Sequence, residues 1–341
     1  MKKSLLALAV LASFAGIASA QSSVTVYGVV DAGITRETGA IAGSITKLAT
    51  GVQSGNRLGF KGTEDLGGGL KANFQIENGF DLDTGMTRQG GRLFGRQAFV
   101  GLSGAFGAAN LGRQYDPIFI SIDSIDPFGT GLPGQTVNLM SAGDVRTDNA
   151  VTYSTPTMNG LTGNVLYGAG EGKVGHTLGL SADYNNGPVV FTVAYNKVNR
   201  FDALPAAATG GQKVLLVGGT YNFGPATVHA AYETDKNEVS GASFRDYMVG
   251  VTVPVSAAGA VVASYIDKND RVSNSNKGGK QFGVGYLHSL SKRTNLYASY
   301  ARISNDSAGT NYVGDASSGG SSDQIVGHAS TGLTVGMRHK F

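Results

Sequence analysis

The chain ends on Gly332-Leu333-Thr334-Val335-Gly336-Met337-Arg338-His339-Lys340-Phe341, a stretch in which large apolar residues alternate with small or polar ones. Successive side chains of a β-strand point to opposite faces, so this pattern predicts a strand with one apolar face. A soluble strand would gain nothing from an exposed terminal aromatic ring, whereas Phe341 suits a membrane interface. The stretch therefore favours a membrane-spanning β-strand.

The first twenty residues carry the pattern of an export signal. Lys2 and Lys3 precede an apolar stretch over residues 5–17, and Ala18-Ser19-Ala20 supplies small residues before a cleavage point. We therefore expect residues 1–20 to be a cleaved signal peptide and residues 21–341 to form one β-barrel domain. An exported chain with an amphipathic terminal strand indicates the outer membrane of a Gram-negative cell.

Composition narrows the class of protein. The chain has 52 glycines, 14 tyrosines, 15 phenylalanines and no cysteine, which fits a β-rich chain with many turns and excludes disulfides and thiolate metal sites. No apolar run after residue 20 approaches the ~18 residues that a membrane helix requires. The formal charge of +3, to which Lys2 and Lys3 contribute, provides no concentrated basic face for nucleic acid.

Alternating segments of about ten residues recur along the whole chain. In the clearest one, apolar Leu70, Ala72, Phe74 and Ile76 alternate with polar Lys71, Asn73, Gln75 and Glu77. Sixteen such segments predict an all-β fold, a 16-stranded antiparallel transmembrane barrel. They lie near residues 24–34, 57–64, 70–77, 92–102, 107–115, 147–155, 160–168, 176–185, 187–197, 212–222, 226–235, 245–254, 259–267, 280–289, 294–302 and 327–341.

The connections alternate in length, as they do in such barrels. Tight turns at 65–69, 186, 223–225 and 290–293 are expected to face the periplasm, and long polar connections fall at 36–55, 198–211 and 303–326. Residues 116–146 form a third long loop, well beyond the ~12–15 residues of ordinary loops. Its apolar residues predict a packed loop, and these anchors are Ile118, Phe119, Ile120, Ile122, Ile125, Phe128 and Leu132.

Taken together, the chain resembles the general trimeric porins of Gram-negative outer membranes, most closely the beta-proteobacterial type. The resemblance covers residues 21–341 and depends on the order and spacing of five motifs. These are Val26-Tyr27-Gly28-Val29-Val30-Asp31-Ala32-Gly33, Arg57-Leu58-Gly59-Phe60-Lys61-Gly62, Arg96-Gln97-Ala98-Phe99-Val100-Gly101-Leu102, Leu111-Gly112-Arg113-Gln114-Tyr115 and Gly336-Met337-Arg338-His339-Lys340-Phe341.

The resemblance implies that the third long loop folds into the lumen and forms a charged constriction. The basic wall of that constriction would be Arg57, Lys61, Arg96 and Arg146. The facing loop acids would be Asp123 and Asp126, although Asp126-Pro127-Phe128-Gly129-Thr130 reverses the order of acid and proline in the family's Pro-Glu-Phe-Gly-Gly. From the residues alone, the basic side chains could equally be ordinary lumen-lining groups, and the acids ordinary surface carboxylates.

The resemblance also implies partners. We expect a homotrimer joined through an apolar flank of the first and last strands, embedded in outer-membrane lipid. In this class the barrel-assembly machinery reads the terminal strand, and Phe341 would supply its aromatic end.

The function expected is passive diffusion of small hydrophilic solutes and ions, without cofactor, bound metal or catalysed reaction. The chain has no Gly-x-Ser-x-Gly elbow, and its five histidines show no ligand spacing. Two alternatives stay open: a substrate-specific outer-membrane channel, and a barrel that acts mainly as an adhesin or structural protein. Anion versus cation preference also stays open. The basic wall cluster favours anions, but the net charge of the mature chain is about zero.

Overall fold

The computed structural model describes residues 23–171, 175–200, 210–315 and 324–341. The signal peptide expected at 1–20 lies outside these residues. No helix in the described part of the chain combines the length and the apolar character needed to cross a membrane.

The described chain contains seventeen β-strands, one α-helix and one 3-10 turn. The helix α1 spans Pro117–Ile125 and the 3-10 turn spans Thr136–Asn138. The strands are β1 (Ser23–Ala40), β2 (Gly43–Thr50), β3 (Arg57–Gly67), β4 (Leu70–Gly79), β5 (Gln97–Gly104), β6 (Gly107–Tyr115), β7 (Arg146–Ser154), β8 (Leu161–Gly168), β9 (Thr177–Asn186), β10 (Val189–Arg200), β11 (Gly210–Asn222), β12 (Thr227–Asn237), β13 (Ser243–Pro254), β14 (Gly259–Asp270), β15 (Gly279–Ser289), β16 (Thr294–Asn305) and β17 (Ser330–Lys340).

The sheet closes on itself through β1. The first part of β1 pairs with β3, from Ser23 opposite Thr63 to Val29 opposite Arg57. The rest of β1 pairs with β17, and from β3 onward each strand pairs antiparallel with its successor. The 16-stranded barrel predicted from the sequence is therefore confirmed.

Two details of the strand prediction are wrong. Residues 36–55 were expected to be a long polar connection, but β2 lies within them and pairs with the distal half of β1. The strand expected from residue 92 begins at Gln97, because residues 92–96 form turns that lead into β5. Arg96 thus stands immediately before its strand.

The alternation of faces follows the sequence pattern. Val24 and Val26 on β1 are 63% and 55% exposed, whereas Asp31, on the other face of the strand, is fully buried. On β4 the side chains of Gln75 and Glu77 hydrogen-bond to Tyr27 across the inner face. Apolar side chains therefore cover the outside of the barrel, and polar ones line the inside.

The segment between β6 and β7 lies inside the barrel. Ile118, Ile122 and Ile125 of α1 are fully buried against the inner face of the wall. The helix contacts strands β8–β12. Farther along, Asn138 Nδ2 donates to Gln281 Oε1 of β15 at 2.8 Å. One segment can reach the inner side chains of so many strands only from within the closed sheet.

Candidate functional site: an arginine-lined constriction

We call residues 116–145, between β6 and β7, the internal loop. A cavity of about 710 Å³ lies between this loop and a part of the inner wall that includes residues of β3, β6, β7, β15 and β17. Three of its basic side chains, Arg57, Arg96 and Arg146, stand where a strand begins next to a long connection. We call these three residues the arginine wall. The loop contributes Asp123 and Asp126 to the opposite side of the same cavity.

Arg96 is the central member of the arginine wall and is 7% exposed. Its Nε donates to Glu77 Oε1 at 2.7 Å, and one terminal nitrogen donates to the Tyr115 hydroxyl at 2.6 Å. Glu77 also accepts a hydrogen bond from the Tyr27 hydroxyl at 2.8 Å. The Arg96 guanidinium is therefore fixed in orientation and neutralised by one carboxylate.

Arg146 meets the same tyrosine from the neighbouring strand. A terminal nitrogen of Arg146 donates to the Tyr115 hydroxyl at 2.6 Å, and the guanidinium carbon lies 4.3 Å from the ring centroid. The Phe119 ring of α1 stacks on Tyr115 with a centroid distance of 5.2 Å. Tyr115 therefore ties the internal loop to two arginines of the wall.

Two guanidinium nitrogens of the arginine wall have unused donor capacity. Arg57 donates to the Ser54 hydroxyl through a terminal nitrogen. The Nε atoms of Arg57 and Arg146 are buried and have no acceptor among the described residues. A buried N–H without an acceptor costs roughly 1–3 kcal/mol.

The structure places Lys61 apart from the arginine wall. It lines a second cavity, of about 310 Å³, together with Thr25, Asn73 and Gln75. Its ammonium group lies 5.2 Å from the centroid of the Tyr27 ring. Lys61 shares the inner face with Arg57, as the sequence indicated, but at a different height along β3.

The two predicted loop acids differ in environment. Asp123 is exposed to the cavity and accepts a hydrogen bond from the Thr130 hydroxyl. Asp126 is 6% exposed and accepts backbone N–H bonds from Phe128 at 3.0 Å, Thr130 at 3.0 Å and Thr136 at 2.9 Å. Burial raises the pKa of Asp126 to about 6, against the hydrogen bonds that lower it. Asp126 thus organises the loop, whereas Asp123 faces the water.

Asp116 is a buried acid that the sequence interpretation did not single out. It caps α1 by accepting from the Ile118 N–H at 3.2 Å, and it accepts from Asn196 Nδ2 of β10 at 2.7 Å. Burial raises the pKa of Asp116 to about 7, and the nearby Asp144 carboxylate adds to that rise. An aspartate directly before proline at the start of an apolar run is a helix N-terminus signal that would have identified it.

Asp31 holds the first long connection against the internal loop. Its carboxylate accepts from the backbone N–H groups of Val52 at 3.2 Å, Gln53 at 3.0 Å and Ser54 at 2.9 Å, and from the Tyr297 hydroxyl at 2.6 Å. The carbonyl of Val52 then accepts the N–H of Leu132 at 2.8 Å. Asp31 therefore positions both the residues before Arg57 and the tip of the internal loop.

Arg338 is a further basic residue at this cavity. It comes from β17 and donates through Nε to Asn295 Oδ1 at 3.0 Å. In the sequence analysis Arg338 lay inside a family motif but received no role. The alternation along β17 shows which face of the strand Arg338 occupies, but not its position along the barrel axis.

A second anchor holds the loop where it returns to the wall. The N–H of Ser141 donates to Glu233 Oε1 of β12 at 2.6 Å, and Lys268 Nζ of β14 donates to the Leu139 carbonyl at 2.8 Å. Glu233 is fully buried and stands opposite Asp246 in the sheet. In the part of the chain that the structure describes, no group of three or more metal-ligating side chains could hold an ion.

Comparisons with known proteins agree with this geometry. The model of a Gram-negative porin family matches residues 7–308. The chain is 36% identical to outer membrane porin protein 32 of Delftia acidovorans and 33% identical to an outer membrane porin protein of Bordetella pertussis, each over the full length of both chains. Among solved structures, an anion-selective porin from Comamonas acidovorans superposes with a TM-score of 0.83 at 31% identity, covering 94% of this chain and 100% of that one.

Proposed function

The chain belongs to the family of Gram-negative porins, and we propose that its arginine-lined constriction favours anions over cations. The protein is an outer-membrane β-barrel that passes small hydrophilic solutes and ions. The resemblance inferred from the five motifs is thereby confirmed. The anion preference is our own inference from the cavity.

The observation that carries the proposal is the imbalance at the arginine wall. Arg96 and Arg146 both donate to the Tyr115 hydroxyl, and Arg57 lines the same cavity. Glu77 is the one carboxylate bonded to these three arginines among the described residues. On the loop side, Asp126 is engaged by backbone N–H groups and only Asp123 is exposed. Fixed charges beside a narrow aqueous gap raise the local concentration of counter-ions, so this wall attracts anions.

The resulting mechanism is electrostatic and passive. An anion crossing the cavity passes the guanidinium groups of Arg57, Arg96 and Arg146, which line it. Asp123, on the opposite side, completes a transverse field that orients dipolar solutes. Solutes move down their gradients, so the barrel acts as a channel and not as an enzyme.

The experiment is the reversal potential of the refolded protein in a planar bilayer under a salt gradient. We expect a sign that reports anion preference, and we expect Arg57→Gln with Arg146→Gln to lower the anion-to-cation permeability ratio severalfold. Lys61→Gln is the matched control, since Lys61 lies outside the cavity and should change the ratio less. A cation-selective potential in the parent protein would contradict the proposal.

Assembly is proposed on separate grounds. An exposed apolar flank on β1 and β17, formed by Val26, Leu333 and Val335, suits a homotrimer contact.

Phe341 pairs with Gly28 through two backbone hydrogen bonds of 3.0 and 3.1 Å and is 47% exposed. That exposure suits recognition by the barrel-assembly machinery. Sedimentation of unheated protein tests the trimer, and outer-membrane yield of Phe341→Ala tests the assembly signal.

A further inference from the structure

Residues 125–127 of the internal loop lie between the inner wall and the cavity of about 710 Å³. The helix α1 ends at Ile125, and Asp126 and Pro127 line the cavity. On its other side the same segment touches β11 and β13. A movement of this segment away from the wall would therefore narrow the cavity directly.

Gly218 of β11 makes room on the wall for the side chain of Ile125. It faces the lumen, on the same side of β11 as the fully buried Leu216, whereas the outward Leu215 is 38% exposed. A Cβ atom at Gly218 would overlap the Cδ1 atom of Ile125. Ile125 is fully buried in the same apolar cluster as Leu216, so its side chain has little room to move aside. Any larger residue at position 218 would therefore push the end of α1 off the wall.

Gly250 of β13 makes room in the same way for the ring of Pro127. A Cβ atom at Gly250 would lie 2.5 Å from Pro127 Cγ and 3.0 Å from the carbonyl oxygen of Ala263 on β14. Carbon atoms in contact are about 3.5–4.0 Å apart, so a methyl group here would displace the proline by roughly 1 Å. The closed pyrrolidine ring cannot swing away from such a contact as a flexible side chain can. The displacement would therefore be passed on to the loop backbone.

His229 holds the same segment by a hydrogen bond. It lies on β12, between the strands of the two glycines, stands directly opposite Gly250 and is 8% exposed. Its Nδ1 donates to the carbonyl oxygen of Ile125 at 2.8 Å, and its Nε2 lies 3.1 Å from the Thr252 hydroxyl. A carbonyl oxygen can only accept, which assigns a proton to Nδ1. The end of α1 is thus bonded to the wall as well as packed against it.

The bonds of Asp126 act differently from these wall contacts. Its carboxylate accepts from the N–H groups of Phe128, Thr130 and Thr136, all of which belong to the loop itself. Bonds within the loop fix its shape, but they do not fix its distance from the barrel wall. That distance depends on the contacts that residues 125–127 make with β11, β12 and β13.

We propose that Gly218, His229 and Gly250 set the width of the constriction, and with it the size of the solutes that the channel admits. The two glycines let the loop lie against the wall, and His229 keeps it there. None of the three lines the cavity, so they act through the loop as positioning residues. The inference depends on the barrel being a channel and not on which ions it prefers.

The test combines single-channel conductance of the refolded barrel with the entry of neutral mono-, di- and trisaccharides into liposomes. Gly218→Ala and Gly250→Ala should each lower the conductance by roughly a quarter to a half, since pore diameter controls passage. Trisaccharide entry should fall more than monosaccharide entry, because the larger solute is closer to the width of the gap.

Gly219→Ala is the matched control for these variants. Gly219 follows Gly218 on β11 but faces outward, and its Cβ would lie 2.6 Å from the carbonyl oxygen of Val190 on β10. The substitution therefore crowds the sheet without touching the internal loop. It should leave conductance and sugar entry at the parental values.

A complementary swap separates the loop contact from general damage. Ile125→Val removes the Cδ1 atom that a Cβ at Gly218 would overlap, so the double variant Gly218→Ala with Ile125→Val should regain most of the parental conductance and trisaccharide entry. His229→Phe keeps a planar ring but removes the donor to the Ile125 carbonyl. This variant should show stronger open-channel noise without the loss of mean conductance.

Parental conductance and sugar entry in both alanine variants overturn the proposal, as does an equal loss in Gly219→Ala. A double variant that stays as narrow as Gly218→Ala shows that the contact with Ile125 is not the cause. A current in His229→Phe as steady as the parent's removes His229 from the set. Heat-modifiable migration in electrophoresis verifies folding, and Gly250→Ala carries the comparison with Gly219→Ala if Gly218→Ala does not refold.

Discussion

The two sides of the constriction use charge in opposite ways. On the arginine wall, the Nε donors of Arg57 and Arg146 are buried beside the cavity without an acceptor among the described residues. On the loop side, the carboxylate of Asp126 accepts three backbone N–H groups. The first arrangement leaves the positive charge of these two residues without a bonded carboxylate in the described part of the chain. The second uses its capacity to hold the loop.

The difference follows from side-chain length. A guanidinium on a long flexible stem reaches away from its own backbone and presents several donors to the lumen. An aspartate carboxylate sits close to its own backbone and readily accepts from the N–H two residues on, as Asp126 does from Phe128. Selectivity is therefore expected to depend on the arginines, and the shape of the gap on the buried aspartates.

Breaking the loop anchor should have the largest effect. Asp126→Ala removes the acceptor of three buried N–H groups, each of which costs roughly 1–3 kcal/mol when left unpaired. We expect the loop to become mobile, with strongly increased open-channel noise and faster proteolytic cleavage between residues 126 and 136. Asp123→Ala, on the same loop but exposed, is the control. Unchanged noise and protease resistance in Asp126→Ala would show that the carboxylate does not hold the loop.

Protonation of Asp116, at the start of the internal loop, offers a milder way to change how the loop is held. The pKa of Asp116 rises from 3.8 to about 7 in the folded protein, so its favourable contribution is complete below pH 3.8 and is lost as pH rises through about 7. Loop attachment should therefore be stronger at pH 5 than at pH 8, by roughly 2–4 kcal/mol at most. Asp116→Asn should flatten this dependence of open-channel noise on pH. A parent channel that is noisier at pH 5 would give the opposite sign.

The fold could be predicted from the sequence because strand periodicity shows directly which side chains point into the barrel and which point out. The alternation in β4 and β17 placed the correct side chains inside and outside without any knowledge of neighbouring strands. β2 was missed because Gly43-Ser44-Ile45-Thr46-Lys47-Leu48-Ala49-Thr50 buries neither face over most of its length, so its pattern is weak. β2 forms because it pairs with the distal half of β1, and its own residues do not predict that pairing.

The site could be predicted only in part, because strand periodicity carries no information on where a residue lies along the barrel axis. Arg57 and Lys61 share a face of β3, yet four residues separate them by about 13 Å along a strand, and only Arg57 borders the main cavity. Arg338 was overlooked for the same reason. Asp126 was assigned to the pore, although the Asp-Pro-Phe-Gly sequence is typical of a turn in which the aspartate bonds to its own backbone.

Neutralising Glu77, the acid bonded to the arginine wall, tests whether the positive charge of that wall sets the ion selectivity. Glu77→Gln keeps an oxygen that can accept from Arg96 Nε at 2.7 Å but removes the negative charge. We expect the anion-to-cation permeability ratio to rise about two- to threefold, because the guanidinium charge is no longer balanced. Glu64→Gln, an exposed residue near the turn end of β3, is the matched control. A fall in the ratio would mean that Glu77 serves mainly to orient Arg96.

The smallest effect is expected at the exposed loop acid. Asp123 faces water, so its field is screened by salt far more than that of a buried group. Asp123→Asn should raise the anion-to-cation ratio less than twofold in 0.1 M salt, where the Debye length is about 10 Å, and hardly at all in 1 M salt, where it is about 3 Å. Reversal potentials at the two salt concentrations separate this screened contribution from a structural one, which salt would not remove. An effect at 1 M salt as large as that of Glu77→Gln would place Asp123 among the side chains that shape the gap, and would remove the division between an arginine wall that selects and loop acids that anchor.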